Sequence, residues 1–213
     1  MNINFNDLIL NKKDNSYIIV DYIGNEELLK IPTRYNNLPI TIIDSLSTSD
    51  NNITTKVFIP GEVVINERVF INLNNLEEIV VSDNNELYSS NKGVLYSKGF
   101  KDLLYYPNGK KNKKYKTNNK TRTIGLSFYS NQYLKKLILS NNLRSIYFDS
   151  FLYLDNLKKI VINNDYFKSF KGALYDYKYE ILYKYPNNHK YKKLKIKENV
   201  NYVSPAAFIK NNI

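Results

Sequence analysis

The chain has 213 residues, a formal net charge of +11, 20 Tyr, a single His and no Cys. Without Cys it has no disulfide framework, zinc knuckle or thiol nucleophile, and no apolar run approaches the ~18 residues of a membrane span. The charge is uneven: residues 1–97 carry 7 Lys/Arg and 13 Asp/Glu, a net of −6, while residues 98–213 carry 24 and 7, a net of +17.

The first residues, Met1-Asn2-Ile3-Asn4-Phe5-Asn6-Asp7, show neither a basic n-region nor a long apolar h-region, so no secretory leader is expected. Residues 1–30 read as an N-terminal β cap and entry to the first repeat. Leu8-Ile9-Leu10 and Tyr17-Ile18-Ile19-Val20 flank the turn-rich Asn11 to Ser16, which is a hairpin signal. Leu28-Leu29-Lys30-Ile31 follows as a strand that Pro32 stops, because Pro donates nothing to a ladder. Ile40-Thr41-Ile42-Ile43 and Val57-Phe58-Ile59 continue the pattern across a polar loop, Ser45 to Asn52.

The next stretch shows the organising period. Leu76-Glu77-Glu78-Ile79-Val80-Val81, Leu134-Lys135-Lys136-Leu137-Ile138-Leu139 and Leu157-Lys158-Lys159-Ile160-Val161-Ile162 share the pattern L-x-x-[LI]-x-[LVI]. Each opening Leu stands six residues after a Phe: Phe70, Phe128 and Phe151. Such self-similarity marks a repeat architecture. One unit of about 23 residues cannot offset the roughly 1–2 kcal/mol of backbone entropy per residue. Stacked units can, by sharing an interior. The Leu and Ile of each pattern should face inward, and the Phe, with Phe208, should plug the return turns. The residues between them should form ladders: Lys136 and Ile138 beside Lys159 and Val161, and beside Glu78 and Val80.

After Val81 and Ile162 the chain departs from this period twice. Gly93-Val94-Leu95-Tyr96 … Tyr106-Pro107-Asn108 recurs, 79 residues on, as Gly172-Ala173-Leu174-Tyr175 … Tyr185-Pro186-Asn187. Both read as inserted β-hairpins, near 88–107 and 167–186, with polar turns at Ser97 to Asp102 and Asp176 to Glu180. Hairpins projecting from a solenoid are places where binding is tuned. Each is followed by a basic run, Lys110 to Lys116 and His189 to Lys195, where alternate Lys should point outward. Residues 31–213 are thus expected to form one solenoid domain. Its last rung is expected to be uncapped, since Phe208 plus six falls one residue past Ile213.

The layout resembles the BspA-like leucine-rich repeat family of bacterial and protist proteins. The resemblance rests on the three strand patterns, the middle segments Leu143–Ile146 and Val200–Val203, and the Ala207-Phe208 turn. The opening Tyr17 to Gly24 with Ile31-Pro32, and the Gly-x-Leu-Tyr hairpins ending in Tyr-Pro, add to it. It covers roughly residues 17–213, departing at Val69-Phe70 and Ser127-Phe128, where Ala is replaced, and across the weak repeat at 40–60. It implies a mostly β leucine-rich repeat solenoid with a parallel sheet, short helical turns and inserted hairpins. It also implies a non-enzymatic binding surface, used in adhesion at the cell surface or outside the cell.

No catalytic constellation is visible. His189 lies in a polar turn, and the adjacent carboxylates Glu26-Glu27 and Glu77-Glu78 would face opposite sides of a strand. Nucleotide-binding glycine loops and H-E-x-x-H are absent. No catalytic, metal or cofactor residue is therefore assigned, and no enzyme is expected. Candidate partner-binding residues are Lys136, Ile138, Lys159 and Val161 on the strands, and Tyr96, Tyr105, Tyr175 and Tyr183 on the hairpins. Lys113, Lys114, Lys192 and Lys193 of the basic runs complete the set. The partner expected is a protein or an anionic polymer, with charge-driven binding of nucleic acid or an anionic surface as the alternative. The plainer readings are that the Tyr pack the hairpins and that the Lys are solvated surface.

Overall fold

A computed structural model describes residues 5–46, 53–189 and 196–209. Two compact units emerge, one of Met1–Gly99 with Pro107–Lys110, the other of Phe100–Tyr106 with Lys111–Ile213.

The first unit holds β1 (Leu8–Lys13), β2 (Ser16–Tyr22), β3 (Leu28–Lys30), β4 (Arg34–Tyr35), β5 (Leu38–Ile43), β6 (Lys56–Ile59), β7 (Val64–Ile65), β8 (Glu78–Val81), β9 (Tyr88–Asn91) and β10 (Val94–Ser97). β1 and β2 form the antiparallel hairpin that the Asn/Asp-rich turn foreshadows, and Asp14 in that turn takes a positive φ. β2 then pairs in parallel with β5, and β5 with β7. A second sheet, β3–β6–β8, is wholly parallel and aligns Leu29, Val57 and Ile79, all buried.

The second unit holds β11 (Asp102–Tyr105), β12 (Lys114–Lys116), β13 (Thr123–Ile124), β14 (Lys136–Ile138), β15 (Ser145–Ile146), β16 (Lys159–Val161), β17 (Phe167–Phe170), β18 (Ala173–Asp176), β19 (Ile181–Lys184) and β20 (Tyr202–Val203). β12–β14–β16 and β11–β13–β15 are parallel, so each turn of chain contributes one short strand to each. Leu134, Leu137 and Leu139 are buried, as are Leu157, Ile160 and Ile162 one turn on. Phe128 and Phe151, also buried, stack on each other with centroids 5.8 Å apart. Phe208 is only partly buried, against Ala207 and Tyr185.

The Phe-bearing returns are hydrogen-bonded turns rather than helices; 3-10 turns occur at Phe5–Asp7 and Lys98–Phe100. Ser127 and Ser150, which precede Phe128 and Phe151, are buried. The Ser127 hydroxyl donates to the Leu103 carbonyl on the strand one turn earlier; that of Ser150 lies 2.6 Å from Tyr147 O in its own turn and 3.2 Å from Ile124 O on the strand one turn earlier. Asn does similar work. The buried Asn131 Oδ1 accepts from the N–H groups of Tyr133 and Leu134, satisfying backbone that a turn would otherwise leave unpaired.

Each hairpin starts one strand earlier than its Leu-Tyr signature. β9 meets β10 through Lys92-Gly93, and β17 meets β18 through Lys171-Gly172; both residues of each turn have positive φ. That is the two-residue turn whose twist suits a hairpin. The turns do not project into solvent. Gly93 O accepts from Ile79 N–H (3.0 Å) and Gly172 O from Ile160 N–H (2.8 Å), so each turn covers the outer strand of a parallel sheet. An exposed sheet edge is thereby blunted.

Candidate functional site

The charged surface of the second unit is built by the register of β12–β14–β16. Tyr115, Leu137 and Ile160 align and point inward, all buried. The residues on either side must then point outward. Lys114, Lys136 and Lys159 align on one side of the buried column, and Lys116, Ile138 and Val161 on the other. Just before the strands a third row follows, since Lys113 O accepts from Lys135 N–H (2.8 Å) and Lys135 O from Lys158 N–H (2.9 Å). Neighbouring strands lie about 4.8 Å apart. The backbones of six Lys are therefore set in two rows of three at that repeat. Among the described residues none of the six is paired with a carboxylate.

Beyond Ile138 and Val161 the strands end at a groove of about 540 Å³, whose other lining includes Asn141, Asn163, Lys168 and Tyr179. Lys168 belongs to β17, so the hairpin that covers the sheet edge also forms the wall of the groove. Its ammonium lies 5.8 Å from the Tyr179 ring centroid, and that of Lys197 lies 4.8 Å from the same ring and 4.3 Å from Phe170. Aromatic faces thus hold cations around the groove.

The sequence candidates separate cleanly. Lys136, Ile138, Lys159 and Val161 share one face as expected, and Lys114 joins it, with the exposed Lys113 just before the strand. Glu78 and Val80, expected in the same ladders, pair instead with Lys56 and Phe58 of β6. The rung beside Lys136 is Lys114-Tyr115-Lys116, which escapes the repeat pattern because Tyr115 stands where Leu would. Tyr96, Tyr105 and Tyr175 are buried, which removes them from any partner-facing surface. Their rings fill space under the hairpins, and burial pushes the Tyr175 hydroxyl up to about 12. Tyr183 is half-buried, stacked on Phe148 at 5.3 Å and met edge-on by Phe167. Lys192 and Lys193 lie outside the described residues.

His189 has a structural connection. Its Nε2–H donates to the Lys171 carbonyl in the hairpin turn, which leaves Nδ1 to accept from the Tyr185 hydroxyl (3.3 Å). The fully buried Lys184, which sequence reasoning missed, donates to Ala206 O at 3.2 Å. Burial pulls its ammonium down to about 8, with Asp155 partly opposing. Among the described residues no group of three or more His, Asp or Glu could hold a metal ion, and no helix is long and apolar enough to cross a membrane.

No family model matches the sequence, and no curated protein matches it either. Solved structures do resemble it. The pneumococcal vaccine antigen PcpA superposes with a TM-score of 0.52 at 22% identity, over 83% of this chain and 46% of that one. A leucine rich cell surface protein from Faecalibacterium prausnitzii gives 0.47 at 17% identity, over 91% and 63%. A leucine-rich repeat protein from Eubacterium ventriosum gives 0.46 at 17%, over 87% and 64%. The chain spans less than two thirds of the length of each of these three. The fold is that of a leucine-rich repeat solenoid, mostly β, with parallel sheets and inserted hairpins.

Proposed function

We propose that the protein is a non-enzymatic binding module that engages a macromolecular partner through the open face of β12–β14–β16, in the manner of a BspA-like adhesion protein. One observation carries this reading: outward residues from successive turns are held in register as rows. Rows at strand spacing suit an extended partner, as solenoid surfaces do, whereas catalysis asks for converging groups around a reacting atom. The likeness to a bacterial vaccine antigen supports the fold, and an adhesive role at a cell surface is part of this proposal.

The test compares two faces of the second unit. Purified protein is presented to immobilised cell-surface and extracellular-matrix preparations, alongside Val161→Asp on the sheet and Tyr147→Ser, at an exposed site just past β15. Loss of binding in Val161→Asp with retention in Tyr147→Ser is the expected result. The reverse order would place the interface elsewhere and overturn the assignment.

A further inference from the structure

We propose that the face of β12–β14–β16, with the groove at its strand ends, is a site for a linear anionic polysaccharide laid across the strands. This rests on the binding reading above and names the ligand class.

The first argument is the lysine array. Like charges directly opposite on neighbouring strands destabilise a sheet, and here Lys114, Lys136 and Lys159 are directly opposite in sequence of strands. The first unit avoids this cost at corresponding positions. Lys56 meets Glu78 at 2.9 Å, and the row before the strands is Glu27, Thr55 and Glu77. A sheet that forgoes such pairing in three consecutive turns is arranged to receive compensating charge from outside. Every member of the array is Lys, a compact cation without the planar fork with which Arg fixes a bidentate partner. That suits sulfate or carboxylate groups at tolerant spacing along a polymer.

The second argument is what lies beside the lysines. Two residues along each strand, about 7 Å away, the row runs Lys116, Ile138 and Val161; Ile138 and Val161 present aliphatic surface, and Val161 is 38% exposed. The groove then adds Asn141 and Asn163, with amide donors and acceptors, and the Tyr179 ring with the Lys168 ammonium over it. A ligand matching this sequence of rows carries most of its charge along one edge, apolar ring faces against Ile138 and Val161, and hydroxyl groups beyond, with further anionic groups met by Lys116 and Lys168. Sugar rings bearing anionic substituents have that constitution. Polyphosphate lacks the apolar face.

Calorimetric titration of the protein with heparin octasaccharide and with polygalacturonate of similar length distinguishes sulfated from carboxylated sources. Dextran, polyphosphate and single-stranded oligonucleotide serve as contrasts. At least one acidic saccharide should bind, with affinity that falls as salt rises, and dextran should not. Replacing Lys114, Lys136 and Lys159 together by Gln should weaken saccharide binding about tenfold, the sum expected of three exposed charge contacts. Lys136→Arg should retain it. Ile138→Ser with Val161→Ser should weaken saccharide but not polyphosphate binding. All these positions point away from the core, and far-UV circular dichroism checks the fold. Failure of both acidic saccharides to bind the wild-type protein overturns the proposal. So does equal or tighter binding of polyphosphate or oligonucleotide that the Ser variants leave unchanged, which would mark a surface reading charge alone. If an acidic protein is captured at this face while saccharides are not, the polysaccharide is excluded and the broader binding reading survives.

Discussion

The sheets β3–β6–β8 and β12–β14–β16 share one register and treat charge in opposite ways. In both, the central column is apolar and buried: Leu29, Val57 and Ile79 in one, Tyr115, Leu137 and Ile160 in the other. The column before it runs Leu28, Lys56, Glu78 in the first and Lys114, Lys136, Lys159 in the second. Packing dictates the inward column, since a buried side chain must fit its neighbours. It leaves the outward column free. The contrast therefore separates the residues that the fold requires from those that it leaves free to vary.

The sharpest way to break this comparison is to exchange the roles of adjacent residues. Leu137→Ala removes a fully buried side chain and should cost about 2–5 kcal/mol in reversible chemical unfolding, as core truncations do. Lys136→Ala, one residue away on the outer face, should change stability by no more than about 0.5 kcal/mol. A loss below about 0.5 kcal/mol for Leu137→Ala would show that the column is not the core.

The two hairpin periods diverge at another pair, Tyr105 and Lys184, 79 residues apart. Tyr105 is an ordinary core aromatic, whereas Lys184 buries an amine. Burial holds its folded pKa at about 8, below the ordinary lysine value of 10.5. Below pH 8 both folded and unfolded chains hold the proton, and the folded state bears the cost of a buried charge. As pH rises from about 8 to 10.5 the folded chain releases that proton first, so stability increases, by on the order of 2–3 kcal/mol. Above pH 10 the buried Tyr106 and Tyr175, whose hydroxyls burial pushes upward, stay protonated while the unfolded chain ionises. Stability then falls. The midpoint of urea unfolding should pass through a maximum between about pH 9 and 10, and Lys184→Met should stabilise the protein at pH 7 and flatten the rise. An unchanged pH profile in Lys184→Met would show that another group governs it.

These differences also show what the sequence made legible. Repeats announce themselves where Leu, Ile and Phe recur at fixed offsets, so the ladder of Lys136 with Lys159 and Ile138 with Val161 followed from spacing alone. Rungs built on other residues did not. Lys114-Tyr115-Lys116 uses Tyr for Leu, and Lys56-Val57-Phe58-Ile59 lacks the opening Leu, so Lys136 was assigned the wrong second neighbour. The turn between Asp176 and Glu180 lies where the 79-residue period places it, joining β18 to β19, and its Tyr suit interfaces and interiors equally. The Lys-Gly turns at the other end of each hairpin carry no such signal, and their contacts with β8 and β16 show that this end folds down over a sheet edge. Lys184 was invisible for a similar reason: nothing in an alternating Ile-Leu-Tyr-Lys strand marks its Lys as the buried member.

The hairpin turns permit a finer comparison. Gly93 and Gly172 both have positive φ, at 76° and 94°, so Ala at either carries roughly 1–2 kcal/mol of backbone strain. Their surroundings differ. An added Cβ on Gly93 would meet Glu78 Cγ at 2.9 Å, which can rotate away at some cost to the Lys56 ion pair, and Glu78 Cα at 3.2 Å, whereas on Gly172 the 2.9 Å contact is Lys159 Cβ, which is fixed to the backbone. Gly172→Ala should therefore lose more stability than Gly93→Ala in thermal unfolding. Equal losses would mean that conformation alone sets the cost.

The smallest expected effect bears most directly on why the two sheets differ. Lys136 stands between Lys114 and Lys159, so Lys136→Glu converts two cross-strand repulsions into two attractions of the kind Lys56 makes with Glu78. Pairs of this sort contribute roughly 0.2–1 kcal/mol, and their exposure keeps the gain near the lower part of that range. The variant should melt slightly higher than wild type at low salt. The gap should shrink as ionic strength rises, because the screening length falls from about 30 Å at 0.01 M to about 3 Å at 1 M salt. A lower melting temperature at every salt concentration would mean that the lysines already diverge enough not to repel, and the stability argument for an external anion would lose its premise. A higher melting temperature combined with weaker heparin binding gives the opposite conclusion: the second sheet holds its lysines against the preference of its own fold, and the ligand is what makes that arrangement favourable.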